Sequence, residues 1–309
     1  MAGTFNLTEY ESSVKPIFCP GCGDFGVRAA LLKAMHDLQL DPSSTVVVSG
    51  IGCSSSMPHT LKTYGIHGIH GRLLPIAEGL KLANKDLTVI ATGGDGDGYG
   101  IGISHLIHAA RRNIDITYIV MNNQIYGLTT GQASPTSLFG HKTKSTPFGV
   151  IEEPINPIAI SIIAGATYVA RGFSGDPTHL AALIEGGIRH RGFAIIDVLS
   201  PCVTFNHLNT YDWFRQRIYK IESSHDPADK GKALALALEF DNQHTEKIPI
   251  GLFYEESRPL YNELDEALKI DNISKMAAPT AGEVEAVLAE NRISHHVYEE
   301  GEHSIYKPS

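Results

Sequence analysis

A doubly wound, mostly parallel α/β sheet is the fold class this sequence predicts, and three observations carry it. Short apolar runs alternate with helical stretches along most of the chain, the pattern of strands covered on both faces by helices. One βαβ unit is legible in full, from the run that precedes Gly94 to the run that ends at Met121. Turns bearing glycine, asparagine or cysteine follow four of the runs, at strand carboxyl ends, where open parallel sheets bind their ligands.

In chain order, Gly26–Leu38 has helical apolar spacing, and Thr45–Ser49, with three consecutive valines, reads as a strand. Leu73–Asn84 reads as a helix, Leu87–Thr92 as a strand, Tyr99–Arg112 as a helix and Ile114–Met121 as a strand. Thr130–Ile155, rich in Thr, Ser, Gly and Pro, reads as a long loop. Loops of that length inside compact domains are usually functional, and this one starts just after Asn123, so it is expected to close over a ligand there. Helix Pro157–Gly165, strand Tyr168–Ala170, helix Thr178–Arg189 and strand Phe193–Leu199 continue the alternation. Beyond Asp212, helices over Trp213–Ile221 and Pro227–Phe240 and weaker elements including Glu283–Asn291 have thin apolar content for a separate core. The expected division is a ligand-binding α/β domain, residues 1–210, and a C-terminal extension, residues 211–309, packed on that domain or on a partner.

Length and composition set bounds. The 309 residues suffice for one large α/β domain or two smaller ones. Of the net charge of −9, residues from His207 onward carry −8, with 19 acidic and 11 basic side chains, which excludes a basic nucleic-acid footprint. No apolar run is long enough to span a membrane, and the N-terminus lacks a basic-then-apolar signal, so a cytoplasmic protein is expected.

Gly94-Asp95-Gly96 and Asn122-Asn123 are separated by 25 residues. A right-handed crossover brings both strand ends to one edge, where glycine backbone N–H groups approach phosphate oxygens. A carboxylate with an amide oxygen is a hard ligand pair suited to Mg²⁺. A dinucleotide site is the competing ligand, but no strict G-x-G-x-x-G lies in Gly93–Gly102. This spacing resembles the signature of thiamine-diphosphate enzymes. That resemblance implies Mg²⁺ ligation by Asp95, the Asn123 side chain and the Ile125 carbonyl, on a fold of the thiamine-diphosphate-binding, diphosphate-half type.

Cys19, Cys22, Cys53 and Cys202 are the four cysteines. Spacing alone leaves open a zinc site, a redox dithiol, an iron–sulfur cluster or inert buried thiols. With the thiamine motif beside them, Cys19-Pro20-Gly21-Cys22-Gly23, Gly50-Ile51-Gly52-Cys53-Ser54, His70-Gly71-Arg72 and Pro201-Cys202-Val203-Thr204 resemble the β subunit of 2-oxoacid:ferredoxin oxidoreductases, as does Gly131-Gln132-Ala133-Ser134-Pro135-Thr136. The match runs over roughly residues 10–220.

By that resemblance, Cys19, Cys22, Cys53 and Cys202 ligate one [4Fe–4S] cluster. Ile51, Gly52, Cys53, Ser54, His70, Gly96, Asp97, Gly127 and Leu128 contact thiamine diphosphate. The implied activity is CoA-dependent oxidative decarboxylation of a 2-oxoacid to acyl-CoA and CO₂, with electrons passed through the cluster to ferredoxin. For His70 the alternative is a surface or helix-start histidine, and Arg72 either meets phosphate or merely precedes a helix. Some family members carry a basic residue where this chain has Ser56, which leaves substrate recognition open.

No residue of this chain is assigned as the activating carboxylate for the aminopyrimidine ring. The family implies that a partner α, or fused γ–α, subunit supplies it in an (αβ)₂ assembly. The sequence looks nearer to two-subunit enzymes acting on 2-oxoglutarate or broad 2-oxoacids than to single-chain pyruvate enzymes. The alternatives are a pyruvate-specific β subunit, a non-redox thiamine lyase with a structural zinc and a zinc-stabilised binding protein.

Overall fold

The computed structural model describes residues 4–241, 244–264, 268–269 and 278–290. Eight strands form one sheet: β1 (Thr45–Ser49), β2 (Tyr64–His67), β3 (Thr88–Gly94), β4 (Ile116–Asn122), β5 (Tyr168–Phe173), β6 (Phe193–Leu199), β7 (Ile218–Lys220) and β8 (Ile248–Glu255). Their spatial order is β2-β1-β3-β4-β6-β5-β8-β7, parallel throughout except where β8 runs antiparallel to β5.

Alternation of side chains along the strands sorts the apolar residues into two cores. Val46, Val48, Val89, Ala91, Tyr118 and Val120 face one core. There they meet helices α2 (Leu73–Ala83), α3 (Ile103–Arg112), α4 (Pro157–Ala164) and α7 (Lys230–Ala237). Val47, Ile90, Ile119, Met121, Ile196 and Val198 face the other, against α1 (Asp24–Asp37) and α5 (Pro177–Arg189). Each fully buried Val or Ile contributes about 1.5–3 kcal/mol, and the unbroken apolar runs of β1 and β4 follow from being covered on both sides.

The helix ends obey local chemistry. Asn156 and Asp176 cap α4 and α5 through the Ala159 and His179 N–H groups, with proline in the first turn of each helix. Asn113, in the left-handed region at φ 53°, terminates α3.

Two expectations change, and two strands lie where none was expected. The helix over Trp213–Ile221 is instead the short α6 (Tyr211–Arg215) followed by β7, because Ile218 and Lys220 find a partner strand in β8. The second C-terminal helix is confined to Lys230–Ala237. In β8, Pro249 and Gly251 interrupt the β pattern of the sequence, and pairing with β5 overrides that local preference. The exposed edge strand β2 likewise lacks apolar alternation. A short helix α8 (Tyr261–Leu264) follows β8.

The chain divides into compact units Met1–Asn272 and Ile273–Ser309, so the expected boundary after residue 210 falls inside the first unit, to which β7 and β8 belong. In the second, helix α9 (Ala281–Glu290) starts where Thr280 donates its backbone N–H to Glu283. Asn291, expected to close that helix, lies outside the described residues. Among the described residues no helix is long and apolar enough to cross a membrane.

Candidate active site

The turns beyond the carboxyl ends of β1–β4 enclose a cavity of about 500 Å³. Chain order runs outward from β1 to the edge strand β2 and then crosses back to β3, so the site lies where strand order reverses. Ile51, Gly52, Cys53 and Ser54 enter from the turn after β1 and His70 from that after β2. Asp95, Gly96 and Asp97 follow β3, and Asn123, Ile125, Gly127 and Leu128 follow β4. Every residue assigned from sequence to the diphosphate cofactor or its metal thus lines one cavity; of the four cysteines, only Cys53 does. Asp24, Tyr126, Thr129 and Gln132 also line it and were not anticipated. No lysine or arginine is among the lining residues, whereas three carboxylates are.

Asp95 is buried, and its Oδ2 accepts hydrogen bonds from Ser134 Oγ at 2.5 Å and Thr136 Oγ1 at 2.7 Å. Burial pushes its carboxyl up to about 6 against the opposing pull of those two donors. Asn123 Oδ1 accepts from the Ile125 N–H at 3.1 Å, and between them Gln124 holds φ at 58°, a left-handed conformation for a side-chain-bearing residue. That twist turns the chain sharply past the cavity. Asn206 Nδ2 donates to the Asn123 carbonyl, and Asn206 N–H donates to the Cys202 carbonyl, tying the cysteine turn to the asparagine turn.

Asp97, besides lining the cavity, holds its neighbours together. Its Oδ1 accepts from Ile51 N–H at 2.9 Å and Gly71 N–H at 2.7 Å and lies 3.2 Å from His70 Nδ1. One carboxylate therefore joins the turns after β1 and β2, and holds His70 by one ring nitrogen. A β-carbon at Gly50 would lie 2.0 Å from Asp97 Oδ2, so the close approach requires glycine. Arg72 donates to the Gly71 and Ile101 carbonyls and is not among the lining residues.

The cysteines gather beside the cavity. Gly23 N–H donates to the Pro201 carbonyl at 3.0 Å, setting the Cys19–Cys22 turn against the Cys202 turn. A β-carbon at Gly127 would sit 3.5 Å from Cys202 Sγ and 3.7 Å from Cys53 Sγ, so both sulfurs flank that glycine. Cys19 is exposed, Cys22 and Cys202 buried, and Cys53 half-buried. Burial pushes the Cys53 thiol up to about 12, with Asp24, Cys202 and Cys19 adding to the effect. Cys22 is raised as well, by burial first and then by Asp24, Cys202 and Cys53. Such thiols are poor nucleophiles, unlike those of a reactive dithiol, and become thiolates readily only on binding a cationic centre. Among the described residues no three His, Cys, Asp or Glu side chains come close enough to share one metal ion.

Comparison with known proteins places the chain. The family described as "Thiamine pyrophosphate enzyme, C-terminal TPP binding domain" matches residues 50–198, and the family of the C-terminal part of the pyruvate ferredoxin oxidoreductase beta subunit matches residues 202–269. The chain is 45% identical to 2-oxoacid:ferredoxin oxidoreductase 1, subunit beta, of Aeropyrum pernix, over 87% of this chain and 86% of that one. It is 44% identical to the 2-oxoacid:ferredoxin oxidoreductase subunit beta of Saccharolobus solfataricus, over 90% and 97%. A solved 2-oxoglutarate:ferredoxin oxidoreductase from Magnetococcus marinus, with 2-oxoglutarate, coenzyme A and succinyl-CoA bound, superimposes with a TM-score of 0.84 at 39% identity, covering 92% of this chain and 96% of that one.

Proposed function

The chain belongs to the β subunits of the 2-oxoacid:ferredoxin oxidoreductases, and from that premise we propose that it acts on 2-oxoglutarate, forming succinyl-CoA and CO₂ while reducing ferredoxin through one [4Fe–4S] cluster. The observation that carries the reading is the meeting of four turns at one rim, with the diphosphate-type residues in the cavity and cysteine sulfurs on its wall.

Thiamine diphosphate supplies the means of cleaving the bond between the keto and carboxyl carbons of the substrate. The residues of this chain bind and position that group. Asp95, Asn123 and the Ile125 carbonyl would hold Mg²⁺, and their oxygen donors suit a hard cation. The metal is electrostatically necessary, because the cavity offers a diphosphate three carboxylates and no lysine or arginine. Gly96, Gly127 and the turn Ile51–Ser54 let backbone approach the cofactor, and Leu128 faces the open side. His70, held by Asp97 through Nδ1, lines the same cavity and would contact the bound group.

Cys19, Cys22, Cys53 and Cys202 would hold the cluster. A cubane takes each sulfur on a different iron, so its ligands stand farther apart than those of one tetrahedral zinc. The raised thiols fit ligands that ionise on binding. With no lysine or arginine among the described residues lining the cavity, a second substrate carboxylate would fall to a partner residue, in an (αβ)₂ assembly whose α subunit also supplies the activating carboxylate.

Metal and cofactor analysis of anaerobically purified protein tests this reading. Iron and acid-labile sulfide in equal amounts, thiamine diphosphate on the same sample and no zinc are expected. Zinc in place of iron, or absence of Mg²⁺-dependent thiamine diphosphate binding, would overturn it.

A further inference from the structure

The motif Gly131–Thr136 carries no role in the reading above, yet it folds back from the turn after β4 onto Asp95. We propose that Ser134 and Thr136 are positioning residues for the magnesium ligand: their hydroxyls clamp one oxygen of Asp95, leaving the other for the metal. This inference deepens the diphosphate-site reading and rests on it.

The geometry is specific. Ser134, Thr136, Asp95 and Asn122 are all buried. Both hydroxyls reach the same oxygen, Asp95 Oδ2, so the carboxylate cannot rotate without losing two charge-assisted hydrogen bonds. The single Thr136 hydroxyl proton has two acceptors in reach, Asp95 Oδ2 at 2.7 Å and Asn122 Oδ1 at 3.0 Å, and the shorter contact is to Asp95; Asn122 Nδ2 donates to Asp197 Oδ1 at 3.0 Å. Asp197 is an acceptor only, being paired with Arg171 Nε at 3.1 Å and receiving the Tyr99 hydroxyl at 2.9 Å. Its charge therefore fixes which way the Asn122 amide points, and hence which atom meets Thr136. The same loop is held at Ser137, whose Oγ donates to the Gln124 carbonyl at 2.6 Å, and at the Thr136 carbonyl, which accepts from Gln124 Nε2 at 3.2 Å. Gln124 is the left-handed residue that aims Asn123 and Ile125. One loop thus braces both the aspartate turn and the asparagine turn of the metal site.

The test is Mg²⁺ titration of thiamine diphosphate binding, followed by cofactor fluorescence or calorimetry on the assembled protein, with iron content measured in parallel. Thr136→Val keeps the shape and removes the donor; a 10- to 100-fold weaker Mg²⁺ affinity is expected, roughly the usual cost of losing a group that orients a metal ligand. Thr136→Ser should restore most of it. Ser134→Ala, which leaves the Asn122 contact in place, should weaken affinity in the same direction and decides the matter if Thr136→Val does not assemble. Wild-type Mg²⁺ affinity in Thr136→Val, or equal losses in Thr136→Val and Thr136→Ser, would overturn the clamp while the site stands. No Mg²⁺-dependent binding by the wild type would overturn the site and the clamp together.

Discussion

At Asp95, burial raises the carboxyl and two hydroxyl donors lower it, leaving it at about 6. Below that pH the group holds a proton that a divalent cation must displace. Mg²⁺-dependent thiamine diphosphate affinity is therefore expected to fall about tenfold per pH unit on going below 6 and to be flat above it. A profile flat from pH 5 to 8 would remove Asp95 from the metal. Asp95→Ala should lose the cofactor while keeping iron, since the cysteine turns are held by their own bonds between Gly23 and Pro201. At Gly127, with two sulfurs flanking the position of any β-carbon, Gly127→Val should lower iron content as well as cofactor affinity; unchanged iron would place the cluster elsewhere.

Elements carry these residues with different degrees of independence. β1, β3, β4 and β6 lie at the centre of the sheet, covered on both faces, and their apolar runs were readable for that reason. β5 and β6 are joined by a directly opposed pair, Arg171 and Asp197, both side chains 1% exposed, with the guanidinium also over the Phe240 and Phe253 rings. Arg171→Met would strand the Asp197 charge in the core and should cost about 3–5 kcal/mol, read from the urea midpoint. Because Asp197 orients Asn122, the same change should also weaken Mg²⁺ affinity, whereas an effect on stability alone would mean that the pair serves only the sheet.

The whole molecule presents a cavity rich in carboxylates and open at one rim, with Leu128 47% exposed and Ile51 37% exposed. These features fit the proposal of a site divided between two subunits. The purified chain alone is expected to bind iron yet show no 2-oxoacid oxidation, and addition of its partner subunit should restore activity. Full activity from the single chain would refute the divided site. The concentration of negative charge beyond His207 should make that third a poor docking face for an acidic ferredoxin.

Sequence alone determined the sheet class, the central βαβ unit and, through the family resemblance, most of the residues that line the cavity, though not Asp24, Tyr126, Thr129 or Gln132. The sheet class and the βαβ unit depend on local periodicity and on turn chemistry at strand ends, both written in consecutive residues. The tertiary structure decided what depends on long-range pairing: β8 against β5 despite Pro249 and Gly251, and β7 in place of a helix. It also decided that Asp97 binds backbone and His70, and that Ser134 and Thr136 return to Asp95 across a loop. A hydroxyl in a loop has no periodic signature. Its role is set by the acceptor that folding brings within reach of it.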